Sequence, residues 1–412
     1  MHILLISRCP PYPLHLGDRL IVYHLARELH ARGHVIDLLA FSDRIDDFAD
    51  RQHYAEFFRE MLLLPEPPRF QSDYVRRLLG WQPRFASQPD QSWSPEMARQ
   101  IEKFRSTHDY DVVHLFGGVQ VYEYAPLLGD APALITPYES YALYLRRMLD
   151  LAAHTRSPFR WIKTRLQLTI ARGFERFMFA PYRATVVVSE PDRAELLRLN
   201  PALNVQVIPN GIDLNTFHVP ESSTRPRELD TILFTGNYEY APNVDAALRL
   251  IRQIVPRVRA RIPGLKVWIV GHAPPESLKS LADDTITITG RVPDLRTYLA
   301  RATVYVSPLR IGAGIKNKIL EALAMGCPVA VTPLSVDGIS VTDGESALIA
   351  PGDEDDDALA EAVIRLLKDA TLRETLSLNG RQLIEQRYTW SQAAAAYESL
   401  YRTIAAQREE RA

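Results

Sequence analysis

The sequence is poor in cysteine and has no long apolar run. The chain of 412 residues contains 2 cysteines, Cys9 and Cys327, whose spacing fits neither a metal site nor a small disulfide framework. Such sparing use of cysteine is typical of a reducing compartment, so we predict a cytoplasmic protein. The longest apolar run, residues 322–334, is interrupted by one glycine and two prolines, so we expect no segment that spans a bilayer.

The chain also lacks an excess of either charge. It has 48 Lys and Arg residues against 50 Asp and Glu residues, for a net charge of −2, and nothing in this balance indicates binding to nucleic acid. The first residues, Met-His-Ile-Leu-Leu-Ile-Ser, have no basic segment and no cleavage site. They predict a first β-strand rather than a signal peptide.

Two common nucleotide-binding motifs are missing. No glycine lies between Ser7 and Gly17, so the dinucleotide fingerprint Gly-x-Gly-x-x-Gly is absent after the first predicted strand, and the Walker A pattern is absent from the chain. The only acidic run, Asp353–Asp357, lies at a predicted helix start, where acidic residues usually act as caps. We therefore predict no metal ion and no cofactor.

Strand and helix patterns alternate in two series, which predicts two parallel sheets built from βαβ units. In the first series the strands are expected at residues 3–7, 35–41, 112–116, 133–136 and 185–189. In the second series they are expected at residues 231–235, 266–270, 285–289, 303–307 and 329–332. The pattern indicates two doubly wound α/β domains.

The most informative segment runs from residue 310 to residue 332. Two glycines before a predicted apolar helix allow backbone N–H groups to converge on an anion, and the helix dipole adds positive potential. Three cations reinforce that potential, whereas a carboxylate beside them suits sugar hydroxyls better than phosphate. The predicted site for a phosphorylated sugar nucleotide comprises Arg310, Gly312, Ala313, Gly314, Ile315, Lys316, Lys318 and Glu321. The alternative is a surface ion pair between Lys318 and Glu321, although the helix is otherwise almost wholly apolar.

Other candidate residues follow predicted strands, where ligands of open α/β sheets bind. In the second series these are Gly236, Asn237, Tyr238, Arg291 and Val292. We expect Asn237 and Tyr238 to point into any cleft, and Asn243 to be a candidate helix cap. The segment at Arg291 could also be an ordinary turn.

The first series offers candidates of its own at strand ends. Gly17 and Asp18 precede the first helix, where Asp18 could be a plain N-cap and the glycine would let a ligand approach the backbone. His114, Tyr138 and Glu139 suit acceptor hydroxyls or acid–base work, although for His114 the role of a hydrogen-bonded core histidine is the favoured alternative.

Residues 141–183 form a basic, apolar segment. They include nine Lys and Arg residues but only two acidic residues, and aromatic and aliphatic residues are interleaved among them. Such a segment can lie on an anionic membrane surface. It can equally be a solvated helix face over core contacts.

Several short motifs occur in a characteristic order. They are the proline-rich loop with Gly17; Ile208-Pro-Asn-Gly-Ile-Asp213 with Phe217; Leu233-Phe-Thr-Gly236; Gly290-Arg-Val292 with Asp294; Pro308-Leu309; and Leu320-Glu-Ala-Leu-Ala-Met-Gly326 before Pro328-Val329. Together they resemble the retaining glycosyltransferases of glycosyltransferase family 4, over nearly the whole chain. The resemblance implies the GT-B fold, with two facing Rossmann-like domains and an interdomain cleft.

The resemblance also implies domain limits and residue roles. It places an acceptor-side domain at 1–208, completed by a crossover helix at about 390–412, and a nucleotide-sugar domain at 209–389. Glu321 matches the glutamate that holds the donor ribose, whereas the family's other glutamate falls on Ala313. The Arg and Lys that usually follow the first strand of the second domain are absent. Arg310, Lys316 and Lys318 are expected to replace them, in a Lys-x-Lys variant of the motif.

The function implied is a retaining, metal-independent transfer of a sugar from a nucleoside-diphosphate sugar. The expected acceptor is a glycan or a lipid-linked sugar, in the biosynthesis of cell-surface polysaccharide or glycoconjugate at the inner face of a membrane. Arg310, Lys316, Lys318 and Glu139 are the expected catalytic residues. Two alternatives are a sugar-nucleotide epimerase of the same fold and an inert protein that binds sugar nucleotides.

Overall fold

The chain folds into two compact α/β units. The computed structural model describes residues 1–14, 17–67, 93–118, 120–152, 158–218 and 227–409. The amino-terminal unit consists of Met1–Asn210 with Trp390–Ala412, and the carboxyl-terminal unit of Gly211–Thr389. The sequence analysis had placed the junction between residues 208 and 209.

The amino-terminal unit is built on a parallel sheet. Among the described residues it has seven strands in the order β3-β2-β1-β4-β5-β6-β7. Their bounds are β1 His2–Ser7, β2 Val35–Ser42, β3 Glu60–Pro65, β4 Val112–Phe116, β5 Ala133–Tyr138, β6 Ala184–Val187 and β7 Val205–Val207. The central strand β1 is buried on both faces, since Ile3, Leu4, Leu5 and Ile6 are all inaccessible to solvent. Burial on both faces explains its continuous apolar sequence.

Helices cover both faces of this sheet. They are α1 Gly17–Ala31, α2 Pro95–Thr107, α3 Tyr141–Ala152, α4 Pro158–Met178 and α5 Glu190–Leu199, with short 3-10 turns at Ile45–Phe48, Asp50–His53, Ala55–Phe57 and Tyr122–Leu128. Two of the helices begin with a serine cap followed by a proline in the first turn. The Ser94 hydroxyl accepts from the Met97 N–H at 3.2 Å, and Ser189 likewise accepts from the Asp192 N–H at 3.4 Å.

The carboxyl-terminal unit has a second parallel sheet. Its described strands follow the order β10-β9-β8-β11-β12-β13. Their bounds are β8 Glu228–Thr235, β9 Lys266–Val270, β10 Ile286–Ile288, β11 Ala302–Ser307, β12 Val329–Val331 and β13 Leu348–Ile349. Because the strands are parallel, their carboxyl ends lie along one edge of the sheet, and the loops that carry the predicted site residues leave from that edge.

The helices of this unit depart from the sequence expectation in one place. They are α6 Ala241–Arg249, α7 Val255–Arg259, α8 Glu276–Lys279, α9 Arg296–Arg301, α10 Asn317–Ala324, α11 Asp356–Lys368 and α12 Ala370–Arg387, with a 3-10 turn at Pro333–Val336. The sequence from Val244 to Arg261 has the pattern of one amphipathic helix, but a π-helical turn at Leu250–Ile254 separates α6 from α7. Asp355 caps α11 as predicted, since its carboxylate accepts from the Ala358 N–H at 2.9 Å.

The last helix, α13 Trp390–Glu409, returns to the amino-terminal unit. Tyr397 and Tyr401 are buried in the same apolar cluster as Ile3 and Leu5. The Trp390 ring stacks on the ring of His24, with their centroids 4.9 Å apart. The carboxyl end of the chain therefore completes the first core rather than the second.

Candidate functional site

The loop that follows β11 is shaped by two glycines with positive φ. Gly312 has φ 140° and Gly314 has φ 64°, values that L-residues with a Cβ rarely adopt. These torsions keep residues 312–316 out of the helix, so α10 begins at Asn317 rather than at Gly314. A helix that began at Gly314 would have placed Gly314, Lys318 and Glu321 on one face, but the glycine torsions exclude that start. Lys318 and Glu321 nevertheless remain on one face, three residues apart.

Lys316 turns back onto this loop. Its Nζ donates to the carbonyl of Ala313 at 2.9 Å and to that of Gly314 at 2.5 Å, and the residue is 9% exposed. Ala313, at the position of the expected glutamate, is itself buried. The Lys316 ammonium thus braces the glycine turn, and Ile315 packs against the core beside it.

Arg310 is held by a carboxylate. Its guanidinium makes two hydrogen bonds of 2.8 Å to Asp245, in α6, and lies 3.9 Å from Glu354. The hydrogen bonds to Asp245 raise the pKa of Arg310. The charge expected to face a ligand is therefore largely compensated within the protein.

Lys318 and Glu321 form the polar part of α10. The Lys318 ammonium donates to the Asn243 side-chain oxygen and lies 4.8 Å from the centre of the Phe234 ring. Burial lowers the pKa of Lys318 to about 7, although Glu321 opposes that shift. Burial also raises the pKa of Glu321 to about 7, against the effect of Lys318. A bound anion would favour the charged form of the lysine.

The turn after β8 lies against Lys318 through Asn243. Gly236 and Gly271 approach so closely that a Cβ on Gly271 would be 1.8 Å from the Gly236 oxygen. Asn237 accepts from the Glu239 N–H at 3.1 Å through its side chain. Tyr238 is a correction to the sequence analysis: its ring is 3% exposed and packs in the core, so it does not point outward.

Arg291 and Val292 follow β10 at the same edge of the sheet. Arg291 is exposed, and Val292 packs partly against the core. The ligand contact predicted for these two residues stays a prediction.

In the amino-terminal unit, Gly17 and Asp18 begin α1. The Asp18 carboxylate lies 3.3 Å from Arg8, which follows β1, and also accepts from the Arg19 N–H at 3.0 Å. Arg19 is 1% exposed and binds Asp47 at 2.6 Å. This buried ion pair fixes the start of α1, next to Asp18.

His114 is a core residue, which corrects its assignment to the acceptor side. It is inaccessible to solvent, and its two ring nitrogens lie 2.6 Å from the Tyr401 hydroxyl and 2.8 Å from the Thr136 hydroxyl. Burial lowers its pKa well below the usual range. Both ring nitrogens are committed within the protein, so none remains for a substrate.

Tyr138, at the end of β5, is strained. It has φ 71°, an uncommon value for a bulky residue. Its buried hydroxyl has no hydrogen-bond partner among the described residues, and burial raises its pKa well above the usual range. Glu139 follows it, half-buried. These two side chains remain candidates for acceptor contact.

Both halves of the chain are similar to known protein families. Residues 230–369 match the family described as "Glycosyl transferases group 1", and residues 20–216 match "Glycosyltransferase Family 4". The chain is 28% identical over 325 residues to the phosphatidyl-myo-inositol mannosyltransferase of Mycobacterium tuberculosis, covering 76% of this chain and 79% of the relative. This protein is a glycosyltransferase.

Solved structures support the same fold for this glycosyltransferase. The sucrose-phosphate synthase of Thermosynechococcus elongatus superposes with a TM-score of 0.72 at 20% identity, covering 98% of this chain and 99% of that one. HepE of Anabaena, solved in complex with UDP and glucose, gives a TM-score of 0.64 at 13% identity, covering 97% and 99%. The predicted GT-B fold of two Rossmann-like domains is confirmed.

The sequence analysis of the glycosyltransferase missed three contacting residues: Asn243, Asp245 and Arg8. Asn243 had been considered as a cap, but α6 begins two residues earlier, at Ala241. Its signal was only an asparagine in a first helical turn. Asp245 and Arg8 gave no signal, because their partners are distant in sequence.

The described part of the chain shows neither a cluster of metal-ligating side chains nor a membrane-spanning helix. In the described part of the glycosyltransferase, no three His, Cys, Asp or Glu side chains gather closely enough to hold a metal ion. None of the described helices combines the length and the apolar character needed to cross a membrane.

Proposed function

We propose that this glycosyltransferase moves a sugar from a nucleoside-diphosphate sugar to a lipid-linked or glycan acceptor, with retention of configuration and without a metal ion. The observation that carries the proposal is the arrangement at α10, where Lys318 and Glu321 share one face beside a glycine turn. A relative named as a GDP-mannose-dependent phosphatidylinositol monomannoside mannosyltransferase, 29% identical over 217 residues, supports both the donor and the lipid acceptor. HepE, solved with UDP and glucose, supports the donor class.

In this proposal the two charged side chains of α10 bind different parts of the donor. Glu321 accepts hydrogen bonds from the ribose hydroxyls. Lys318, together with the amides that open α10, meets the charge that develops on the diphosphate when its bond to the anomeric carbon breaks. A unit charge about 4 Å away contributes about 4 kcal/mol at an effective dielectric constant near 20, which is a large share of leaving-group stabilisation. The acceptor oxygen forms a bond to the anomeric carbon as the bond from that carbon to the diphosphate oxygen breaks, and the acceptor's proton passes to the departing diphosphate.

The experiment that tests the donor role compares wild type with Lys318→Ala. We expect kcat/KM for the donor to fall by about 10²–10³-fold, with the melting temperature little changed. Wild-type-like transfer, and wild-type-like hydrolysis of the donor, would contradict the proposal. Screening nucleotide sugars by thermal shift selects the donor, because a ligand at 100 times its Kd stabilises by about 2.7 kcal/mol. Treatment with a chelator tests metal independence, and activity that is restored only by a divalent cation would refute it.

We further propose that α4 contacts an anionic membrane surface that presents the acceptor. The exposed residues of α4 include Ile162 and Leu166, whose exposures are 60% and 61%, and the cations Lys163, Arg165 and Arg176. The one acidic side chain of the helix, Glu175, is buried and binds the Ser140 hydroxyl at 2.8 Å. Apolar and basic side chains therefore share the exposed face, as interfacial helices require.

Not every cation of the predicted segment 141–183 belongs to the exposed face of α4. Arg146, in α3, pairs with Glu195 at 2.6 Å, and Arg183 donates to the Ile404 carbonyl at 3.2 Å, so these two cations serve internal contacts. Residues 153–157, which include Arg156, lie outside the described residues.

Vesicle co-sedimentation tests this surface. The pair Lys163→Glu and Arg165→Glu should weaken binding to anionic vesicles strongly, because each cation near such a surface is worth about 1 kcal/mol. A matched pair on α2, Arg99→Glu and Lys103→Glu, should bind as wild type does. Equal loss in both pairs, or binding that ignores anionic lipid, would refute the role of α4.

A further inference from the structure

Asn243 connects the turn after β8 to α10. Its side-chain N–H donates to the Asn237 carbonyl at 2.7 Å, and its side-chain oxygen accepts from the Lys318 ammonium. An ammonium can only donate and a carbonyl can only accept, so each end of the amide faces the one partner that suits it. Reversing the amide would break both hydrogen bonds, and its orientation is therefore fixed.

Close packing fixes the position of Asn243 as well. The residue is 6% exposed, and its backbone N–H donates to the Tyr240 carbonyl at 3.0 Å. A Cβ on Gly236 would lie 3.0 Å from the Asn243 side-chain carbon. Gly271 also packs closely against Gly236, since a Cβ on Gly271 would lie 1.8 Å from the Gly236 oxygen. Asn243 thus offers its oxygen from a rigid point on the first turn of α6.

Asn243, the hydrogen-bond partner of Lys318, is electrically neutral. Arg310 is paired with the carboxylate of Asp245, so much of its charge is compensated. Lys318 instead rests between an amide oxygen and the face of the Phe234 ring, 4.8 Å from the ring centre. An ammonium has three N–H donors, so this contact orients Lys318 and leaves donors for a second acceptor.

We propose that Asn243 is a positioning residue, which holds the Lys318 ammonium where the diphosphate of the donor binds. The inference rests on the proposed function and deepens it, because it names the group that aims the cation. It also implies that the effect of the ammonium depends on where it lies in the site, and not on which residue of the chain carries it. Since the two side chains meet, a lysine at position 243 can deliver an ammonium to the region that Lys318 occupies.

Steady-state kinetics test the positioning role. Loss of a hydrogen bond to a charged group predicts that Asn243→Ala lowers kcat/KM for the donor about 10- to 100-fold, with the KM of the acceptor unchanged. Asn379→Ala is the matched control, since the Asn379 side chain also makes a 2.7 Å bond to one carbonyl, that of Glu345. The control should retain wild-type kinetics. Wild-type kinetics in Asn243→Ala would overturn the proposal.

Moving the cation gives a sharper test that does not depend on the loss of a contact. In the Lys318→Ala background, Asn243→Lys should recover at least about tenfold of the lost kcat/KM, because attraction depends on where the charge lies. A folded double variant with no recovery would overturn the inference and leave the proposed function intact. If Lys318→Ala alone has no effect, the proposed function fails first, so the two failures are distinguishable.

Proton uptake provides a readout that a purely structural role would not change. Burial and Lys316 lower the pKa of Lys318 and Glu321 raises it, with a result of about 7, so binding of UDP or GDP at pH 7.5 should draw a proton onto Lys318. Calorimetry in two buffers of different ionisation enthalpy measures this uptake. In Asn243→Asp the new carboxylate should keep Lys318 protonated, so uptake should fall by the share that Lys318 contributes, while Glu321, whose pKa is also about 7, still titrates. Uptake equal to that of wild type would overturn the proposal.

Discussion

Replacing Arg310 with alanine should cost stability rather than catalysis. The guanidinium makes two 2.8 Å hydrogen bonds to Asp245, and the two side chains are 29% and 28% exposed. Exposed ion pairs contribute up to about 1 kcal/mol, whereas breaking a buried pair costs about 3–5 kcal/mol. For this intermediate exposure we expect a loss of about 1–3 kcal/mol. Glu354, 3.9 Å from Arg310, would add repulsion toward the stranded Asp245.

The assay is a double-mutant cycle with Asp245→Ala, read by denaturant and thermal unfolding. The coupling energy between Arg310 and Asp245 should be about 1–2 kcal/mol. In a unit of this size, each kcal/mol lowers the melting temperature by about 2–4 °C. The kcat/KM of Arg310→Ala for the donor should fall by less than about tenfold, because the charge removed was already paired.

Lys318→Ala in the same assays supplies the opposite pattern, with a large kinetic loss and little change in the free energy of unfolding. The reasoning is refuted if Arg310→Ala lowers kcat/KM a hundredfold while its unfolding is unchanged. That result would mean that the guanidinium leaves Asp245 to bind the donor.

Two further substitutions test the packing and the protonation states described above. Gly271→Ala should lower the free energy of unfolding by at least about 3 kcal/mol, because its Cβ would lie 1.8 Å from the Gly236 oxygen. The control is Gly264→Ala, where the added carbon meets open space. Its free energy of unfolding should lie within about 1 kcal/mol of that of wild type. His114→Gln should flatten the pH dependence of stability. The folded protein keeps His114 neutral, whereas the unfolded chain binds a proton at this residue below about pH 6.5. The free energy of unfolding of wild type therefore falls by up to about 1.4 kcal/mol for each pH unit below that value, and that of the variant falls by less. Urea titrations at pH 6.5 and pH 5.5 measure this change, and the same change in the free energy of unfolding for wild type and for His114→Gln would contradict the prediction.

The sequence predicted most strands because β-branched apolar runs bury both faces of a parallel strand. It missed β3, whose sequence Glu-Met-Leu-Leu-Leu-Pro contains no β-branched residue. It also missed β7, which has 3 residues, and β13, which has 2. The start of α10 at Asn317 could not be predicted for a different reason, since periodicity says nothing about the positive φ of Gly312 and Gly314.

The candidate site could be predicted only as a set of residue types. The sequence placed three cations in one segment, but the partners that determine their roles lie far along the chain. Asp245 is 65 positions from Arg310, and Asn243 is 75 positions from Lys318. His114 shows the same limit, because Tyr401, 287 positions away, turns a possible substrate ligand into a core residue.

The contrast among the three cations explains why one of them is favoured for the diphosphate. An arriving anion gains little from Arg310, because a carboxylate already meets that charge and would repel a phosphate beside it. Lys316 is directed into its own turn by two carbonyls, so reaching a ligand would first require breaking both bonds. Lys318 differs from both: the group to which it donates, Asn243, is neutral and holds one of its three N–H donors. Glu321 favours the charged form of Lys318, but burial makes that form costly until an anion is bound. Lys318 is therefore the cation whose hydrogen-bond partner competes least with the donor.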